Sequence, residues 1–136
     1  MFFGRGGARV DEFAAVRAPV ALYRRGLEAG RLMFQGCPDC EAVIFYPRSL
    51  CPVCGSRALE WRRSAGSGVV YATTTVYRRD EPPYDVSLVE LSEGFRMMSR
   101  VEGVGAEEVV VGMGVTFGVC EEESGPVAVF RPEERG

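Results

Sequence analysis

The sequence contains no histidine, no lysine and no asparagine, so all sixteen of its positive side chains are arginine. Each absence removes a class of chemistry. Without imidazole there is no Ser-His-Asp or Cys-His machinery and no histidine base. Without lysine there is no Schiff base and no P-loop phosphate cradle. Catalytic zinc sites built on histidine are excluded as well. Any catalysis is left to Asp, Glu, Tyr, Ser, Thr or Cys, and the balance moves toward a binding or accessory role. No apolar run approaches the ~20 residues of a membrane span. Residues 1–10 carry two arginines and lack the apolar stretch of a secretory signal. The net charge of −3 is opposite in sign to the basic footprint of a nucleic-acid binder. The expectation is a cytoplasmic protein with neither membrane nor nucleic acid as its partner.

What is present is ordinary globular material. The 136 residues are 46% apolar and 26% charged, enough for one or two compact units. Residues 1–10 read as a flexible, Gly- and Arg-rich start. Residues 11–30 read as helical, with Asp11 as a cap, Pro19 in the first turn of a second helical piece, and Gly30 as the stop. Arg24 and Arg25 are solvated if this helix only packs, and available if it docks on a partner. Residues 31–63 hold four cysteines between short strands. Residues 64–132 read as all-β, beginning with a Gly/Ser-rich hinge or sharp turn at 64–68. There, Val69, Tyr71, Thr73, Thr75 and Tyr77 alternate along one strand. Glu81-Pro82-Pro83 breaks it, and strands follow at 84–91, 95–101, 115–121 and 126–130. A short acidic segment at 105–110 suits one helical turn. Five strands with a helical link between the third and fourth predict a mainly β protein ending in a five-stranded Greek-key barrel of the OB type, with a β-sandwich as the alternative. Residues 133–136 form a tail.

The strongest chemical signal is Cys37-Pro38-Asp39-Cys40 followed, ten residues later, by Cys51-Pro52-Val53-Cys54. Two residues between thiolates let a tight turn aim both sulfurs at one ion, and a second such knuckle closes a tetrahedron. Gly55 supplies a positive φ after the second pair. Four sulfurs leave no position open to substrate, so the ion is structural. Zinc is the first choice, with rubredoxin-like iron as the alternative. Disulfides do not fit a chain without a secretory signal. The fifth cysteine, Cys120, falls in a strand and reads as a core thiol.

The order of helix, four-Cys ribbon and small barrel resembles the family known as Domain of Unknown Function 35. The matching residues are Gly26-Leu27, Gly30-Arg31-Leu32, the first knuckle, Phe45-Tyr46-Pro47-Arg48, the second knuckle with Gly55-Ser56, Leu59-Glu60-Trp61, Gly66 to Val69, Pro83-Tyr84, Val89-Glu90-Leu91 with Gly94, and Val129-Phe130-Arg131-Pro132. The resemblance covers about residues 20–132. It implies a rubredoxin-like zinc ribbon joined to an OB-fold. It also implies an accessory role in a hetero-oligomer with a thiolase-fold enzyme or an acyl-CoA hydratase, in lipid, sterol or polyketide metabolism. Such a subunit scaffolds the enzyme and helps form the channel for a pantetheine-linked acyl group.

Within that frame, arginine forks suit the phosphates of CoA. Arg62 and Arg63 before the turn, and Arg78 and Arg79 at the end of the first barrel strand, are the candidates. Tyr84, Phe130, Arg131 and Pro132 sit in turn-like segments rich in interface residue types and are candidate partner contacts. Two other readings compete. Tyr71, Tyr77, Tyr84 and Phe95 would stack bases in a single-stranded nucleic-acid binder. Asp85, Glu90, Glu93 or Glu102 would supply an acid–base group if the chain itself were a catalyst.

Overall fold

The computed structural model describes residues 12–133, which leaves the N-terminal segment, the Asp11 cap and the end of the tail outside the description. Helix α1 spans Glu12–Glu28. It is a single helix, and Pro19 lies inside it rather than opening a second one. Gly30, at φ +79°, ends it as expected. The Arg31 N–H reaches back to the Gly26 carbonyl at 2.8 Å and the Gly30 N–H to Leu27 at 2.9 Å, the paired bonds of a Schellman stop.

The ribbon is a three-stranded antiparallel sheet: β1 (Met33–Gly36), β2 (Val43–Ile44) and β3 (Glu60–Arg63), with β1 in the middle. The barrel follows as β4 (Ser67–Arg78), β5 (Glu81–Leu91), β6 (Arg96–Ser99), β7 (Gly114–Glu122) and β8 (Gly125–Pro132). A 3-10 turn at Ala106–Glu108 connects β6 to β7, where the acidic segment suited a helical turn. The strand order is β6-β5-β4-β7-β8. A parallel bridge between Val101 and Phe130 joins the two edges. Its bonds run from Phe130 N to Arg100 O at 3.0 Å and from Glu102 N to Phe130 O at 2.7 Å. That closure is what distinguishes an OB barrel from an open sheet.

Two expectations are corrected by this topology. Pro82 and Pro83 do not separate strands. They lie inside β5, where the pairing with β4 is irregular between Val76 and Arg78. Proline is tolerated there because an irregular stretch asks for fewer N–H donors. Phe130 is not a surface contact. It is fully buried, since its place on β8 faces the barrel interior.

The ribbon and barrel share one core. Leu27, Leu32 and Phe34 cluster with Val70, Val89, Phe95, Met97 and Phe130. Phe95 stacks on Phe34 with centroids 4.9 Å apart and on Phe45 at 5.3 Å. Tyr23 of α1 meets Phe45 edge-on at 5.5 Å. Arg24 donates to the Ser124 carbonyl, so this arginine ties the helix to the β7–β8 hairpin and is not merely solvated.

Polar side chains fix the connections. Gln35, the sequence's single carboxamide, is buried at 2% exposure and pairs with the backbone of Arg48. Its Nε2 donates to the Arg48 carbonyl at 2.9 Å and its Oε1 accepts from the Arg48 N–H at 2.7 Å. The turn between ribbon and barrel is pinned rather than hinged. Glu93 accepts from the Ser64 hydroxyl and from the Ala65 N–H, both at 2.7 Å. Bonds to a charged acceptor contribute about 1.5–3 kcal/mol each. Because Glu93 is only half-buried and the pair is discounted by solvent, Glu93→Ala is expected to lower unfolding stability by about 2 kcal/mol, read as a shift in the urea midpoint. An unchanged midpoint would show that the turn holds without the clamp.

Burial also sets a pH dependence. It pushes the Tyr23 phenol from 10.0 up to about 12, with Tyr46 adding to the shift. A raised phenol contributes stability that is complete below the unfolded value. That stability is lost as pH climbs from 10 toward 12, because only the unfolded chain ionises there. Tyr23→Phe is expected to flatten stability across that window, measured by denaturation at pH 9, 10.5 and 11.5.

Candidate metal centre

Each knuckle is built by the same short set of bonds. In the first, Glu41 N donates to Cys37 O at 2.7 Å and Cys37 N to Ala42 O at 2.9 Å. In the second, Gly55 N donates to Cys51 O and Cys51 N to Ser56 O, both at 2.9 Å. The residue after each pair takes a left-handed conformation: Gly55 at φ 81°, as the spacing predicts, and Glu41 at φ 66°. Glutamate gives no sequence signal of this, so the second knuckle was legible in detail and the first only by analogy. Ser56 bridges the two, donating to Asp39 at 2.5 Å while its hydroxyl accepts from Ala58 N at 3.0 Å.

These loops bring Cys37, Cys40, Cys51 and Cys54 together, with all four sulfurs within 4.8 Å of one another. Cys37–Cys54 and Cys40–Cys51 stand at 3.6 Å. A tetrahedron with metal–sulfur bonds of about 2.3 Å has edges of about 3.8 Å, so the donor set fits a four-coordinate ion. Cys37 and Cys51 are buried beside Ile44, while Cys54 is exposed. The thiols are unequal. The Cys54 N–H, opposed by burial and reinforced by the Val53 N–H, pushes Cys51 down to about 7. At Cys40 the Ala42 N–H acts downward, but burial and the neighbouring thiols outweigh it and leave the group at about 12. Four such sulfurs share one space as thiolates only around a cation. Cys120 lies on β7, half-buried and outside the cluster.

The other candidate residues are dispersed. Arg62 and Arg63 are neighbours on β3 and so face opposite sides of the ribbon. Arg62 bonds Glu60 at 3.0 Å and crosses over Gly36. Arg78 and Arg79 lie at the far end of β4, with the Arg78 guanidinium 5.5 Å from the Tyr84 ring. The twelve-residue β4 therefore stands between the two arginine pairs. Tyr84 is 37% exposed on β5. Arg131 is exposed on β8 and reaches Glu102 at 3.8 Å; Pro132 is half-buried opposite Val115.

The acidic candidates and stacking aromatics have structural partners. Asp85 is buried, accepting from Ser87 Oγ at 2.6 Å and Val101 N at 3.0 Å. Glu90 pairs with Arg96 at 3.3 Å and Glu102 with Arg100 at 2.8 Å. Arg100 also holds Glu122 at 2.7 Å, and these carboxylates raise its pKa further. Phe95 is in the core, Arg96 covers the Tyr71 ring at 3.7 Å, and Tyr77 donates to Glu107. No helix among the described residues is long and apolar enough to cross a membrane.

Comparison with known proteins agrees with this architecture. Residues 24–60 match the rubredoxin-like zinc ribbon domain of ChsH2, and residues 61–119 match the ChsH2 C-terminal OB-fold domain. A "DUF35 domain-containing scaffold protein" of Pyrococcus furiosus is 36% identical over 100 residues, 68% of this chain and 71% of that protein. A "probable enoyl-CoA hydratase alpha subunit" of Thermomonospora curvata is 31% identical over 123 residues, 87% of this chain but only 39% of that subunit. Among solved structures, a chain of an Ltp2–ChsH2(DUF35) aldolase superposes with a TM-score of 0.73 at 29% identity, covering 94% of this chain and 98% of that one. A DUF35-family protein of Sulfolobus solfataricus shares the fold, with a TM-score of 0.65 at 15% identity over 89% of this chain and 90% of that one.

Proposed function

The chain belongs to the DUF35 family of ChsH2-type zinc-ribbon and OB-fold proteins, and from that premise we propose that it is a non-catalytic, cytoplasmic scaffold subunit of an acyl-CoA enzyme complex. Its partner in this reading is a thiolase-fold enzyme of lipid, sterol or polyketide metabolism. The observation that carries the proposal is the near end-to-end likeness to a chain of the Ltp2–ChsH2(DUF35) aldolase. The chemistry supports it. With no histidine or lysine, and with its acidic candidates engaged in ion pairs, structural hydrogen bonds or the turn clamp, this chain is better suited to hold a catalyst than to be one. The cysteine cluster would hold zinc as a structural ion, making the ribbon a rigid element of the scaffold.

The hydratase relative favours a second partner class, an acyl-CoA hydratase. Tyr84 and Arg131 remain proposed partner contacts. Arg62, Arg63, Arg78 and Arg79 remain proposed phosphate contacts where CoA passes the shared interface. The test is co-expression with the thiolase-like and hydratase-like enzymes encoded beside the gene, followed by size-exclusion chromatography with light scattering. A stable hetero-oligomer that raises the enzyme's activity is expected with one of them. A chain that stays apart from all of them would overturn the proposal.

A further inference from the structure

One face of the ribbon takes no part in holding metal. In β1 and β3, Gln35 lies opposite Trp61 and Met33 opposite Arg63, and strand alternation puts these four on one side. Helix α1 runs along that side. Two adjoining grooves of about 250 and 310 Å³ open between helix and sheet, and Trp61 and Leu22 line both. Arg25 and Arg31 line the first groove, and Arg48 and Arg57 the second. Among the described residues, no aspartate or glutamate lines either one. In a chain of net charge −3 that is a pronounced segregation of charge. Arg62, Arg96, Arg100 and Arg131 are all in ion pairs, but none of the groove's four arginines is paired with a described carboxylate.

We propose that this groove binds a nucleoside phosphate, with the base against Trp61 and Leu22 and the phosphates on the surrounding arginines. A half-buried indole offers a flat apolar surface on which any base stacks. Guanidinium forks take phosphate oxygens two at a time. The four arginines line two grooves that share one aromatic ring, Trp61, which matches a base with its phosphates attached more closely than carboxylates strung along a peptide. Arg48 is held in place by the Gln35 clamp on its backbone, so part of the site is formed before binding. Two sources share this chemistry: a free nucleotide such as ADP, and the phosphorylated adenosine end of CoA. The groove stands apart from Arg78 and Arg79, and the inference needs no partner, so failure to assemble a complex leaves it intact.

Trp61 is the only tryptophan in the sequence, so its fluorescence reports the groove directly. The zinc-loaded full chain is titrated at low salt with ADP, with CoA and with inorganic pyrophosphate. ADP and CoA are expected to change Trp61 emission saturably, and pyrophosphate is expected to compete with them. Tighter binding of CoA assigns the site to CoA, and equal or tighter binding of ADP assigns it to a free nucleotide. Arg31→Ala and Arg57→Ala are each expected to weaken binding about tenfold, with melting temperature unchanged, whereas Arg79→Ala has no effect. Absence of saturable binding by both nucleotides overturns the proposal. So does a polyglutamate peptide that binds as tightly as ADP, because the groove would then recognise acidic chains.

Discussion

Stripping the ion from the four-cysteine cluster is expected to unfold the ribbon and leave the whole chain unstable. Structural zinc contributes about 10–16 kcal/mol of apparent binding free energy in zinc-finger peptides. A domain of this kind has only about 5–15 kcal/mol of total stability. The ion's contribution is therefore as large as the fold's whole margin. β2 is two residues long, and the cluster's apolar surroundings amount to Ile44 with Ala42 and Leu59. Among the described residues, only the exposed Ser56–Asp39 hydrogen bond also links the knuckles, and it is too weak to replace the ion. The damage spreads because Phe34 and Phe45 of the ribbon pack with Phe95 of the barrel. Metal analysis is expected to return one ion per chain, and Cys51→Ser to return none. Cys120→Ser keeps the ion, since that thiol lies outside the cluster. The sign with pH follows from the ligands. Thiolates bind and thiols do not, so affinity falls as pH falls, and acid and chelator act together. A chain that melts at the same temperature with and without chelator would remove the structural role.

The knuckles were legible because their geometry is local. Two residues between sulfurs fix the turn, and Gly55 marks the conformation that follows. Glu41 takes that same conformation with no glycine to announce it. The barrel was legible too, from its alternation and the helical link between its third and fourth strands, but the residues that close it were not. The bridge between Val101 and Phe130 joins residues 29 positions apart, and no local pattern encodes it. Phe130 was misread for that reason: Phe-Arg-Pro near a chain end reads as a surface turn until the parallel bridge buries it. The clamps at Gln35 and Glu93 were hidden in the same way, since they span 13 and about 28 residues. The groove's four arginines are scattered between positions 25 and 57, and only the fold gathers them around Trp61. Chemistry carried by spacing was visible in the sequence, and chemistry carried by tertiary contact was not.

Phe95→Ala is expected to cost about 3–5 kcal/mol, the range for truncating a fully packed phenylalanine. The more informative effect lies in what it disconnects. Phe95 is 4% exposed and sits at the end of the tight turn before β6. The Phe34 ring lies against it at an interplanar angle of 29° and the Phe45 ring at 2°. It is the barrel's ring in a stack whose other members belong to the ribbon. Phe130→Ala removes a ring of equal size, but its aromatic partner is Phe117 of β7, within the barrel. The two variants should lose similar global stability and differ in local opening. Under native conditions, chelator is expected to extract the ion faster from Phe95→Ala than from Phe130→Ala, because the ribbon opens without the barrel unfolding. Hydrogen exchange should show the same division, with protection lost first in β1 and β3. Equal extraction rates at equal stability would mean that ribbon and barrel open as one cooperative unit. The stack would then add stability without controlling how the ribbon is held.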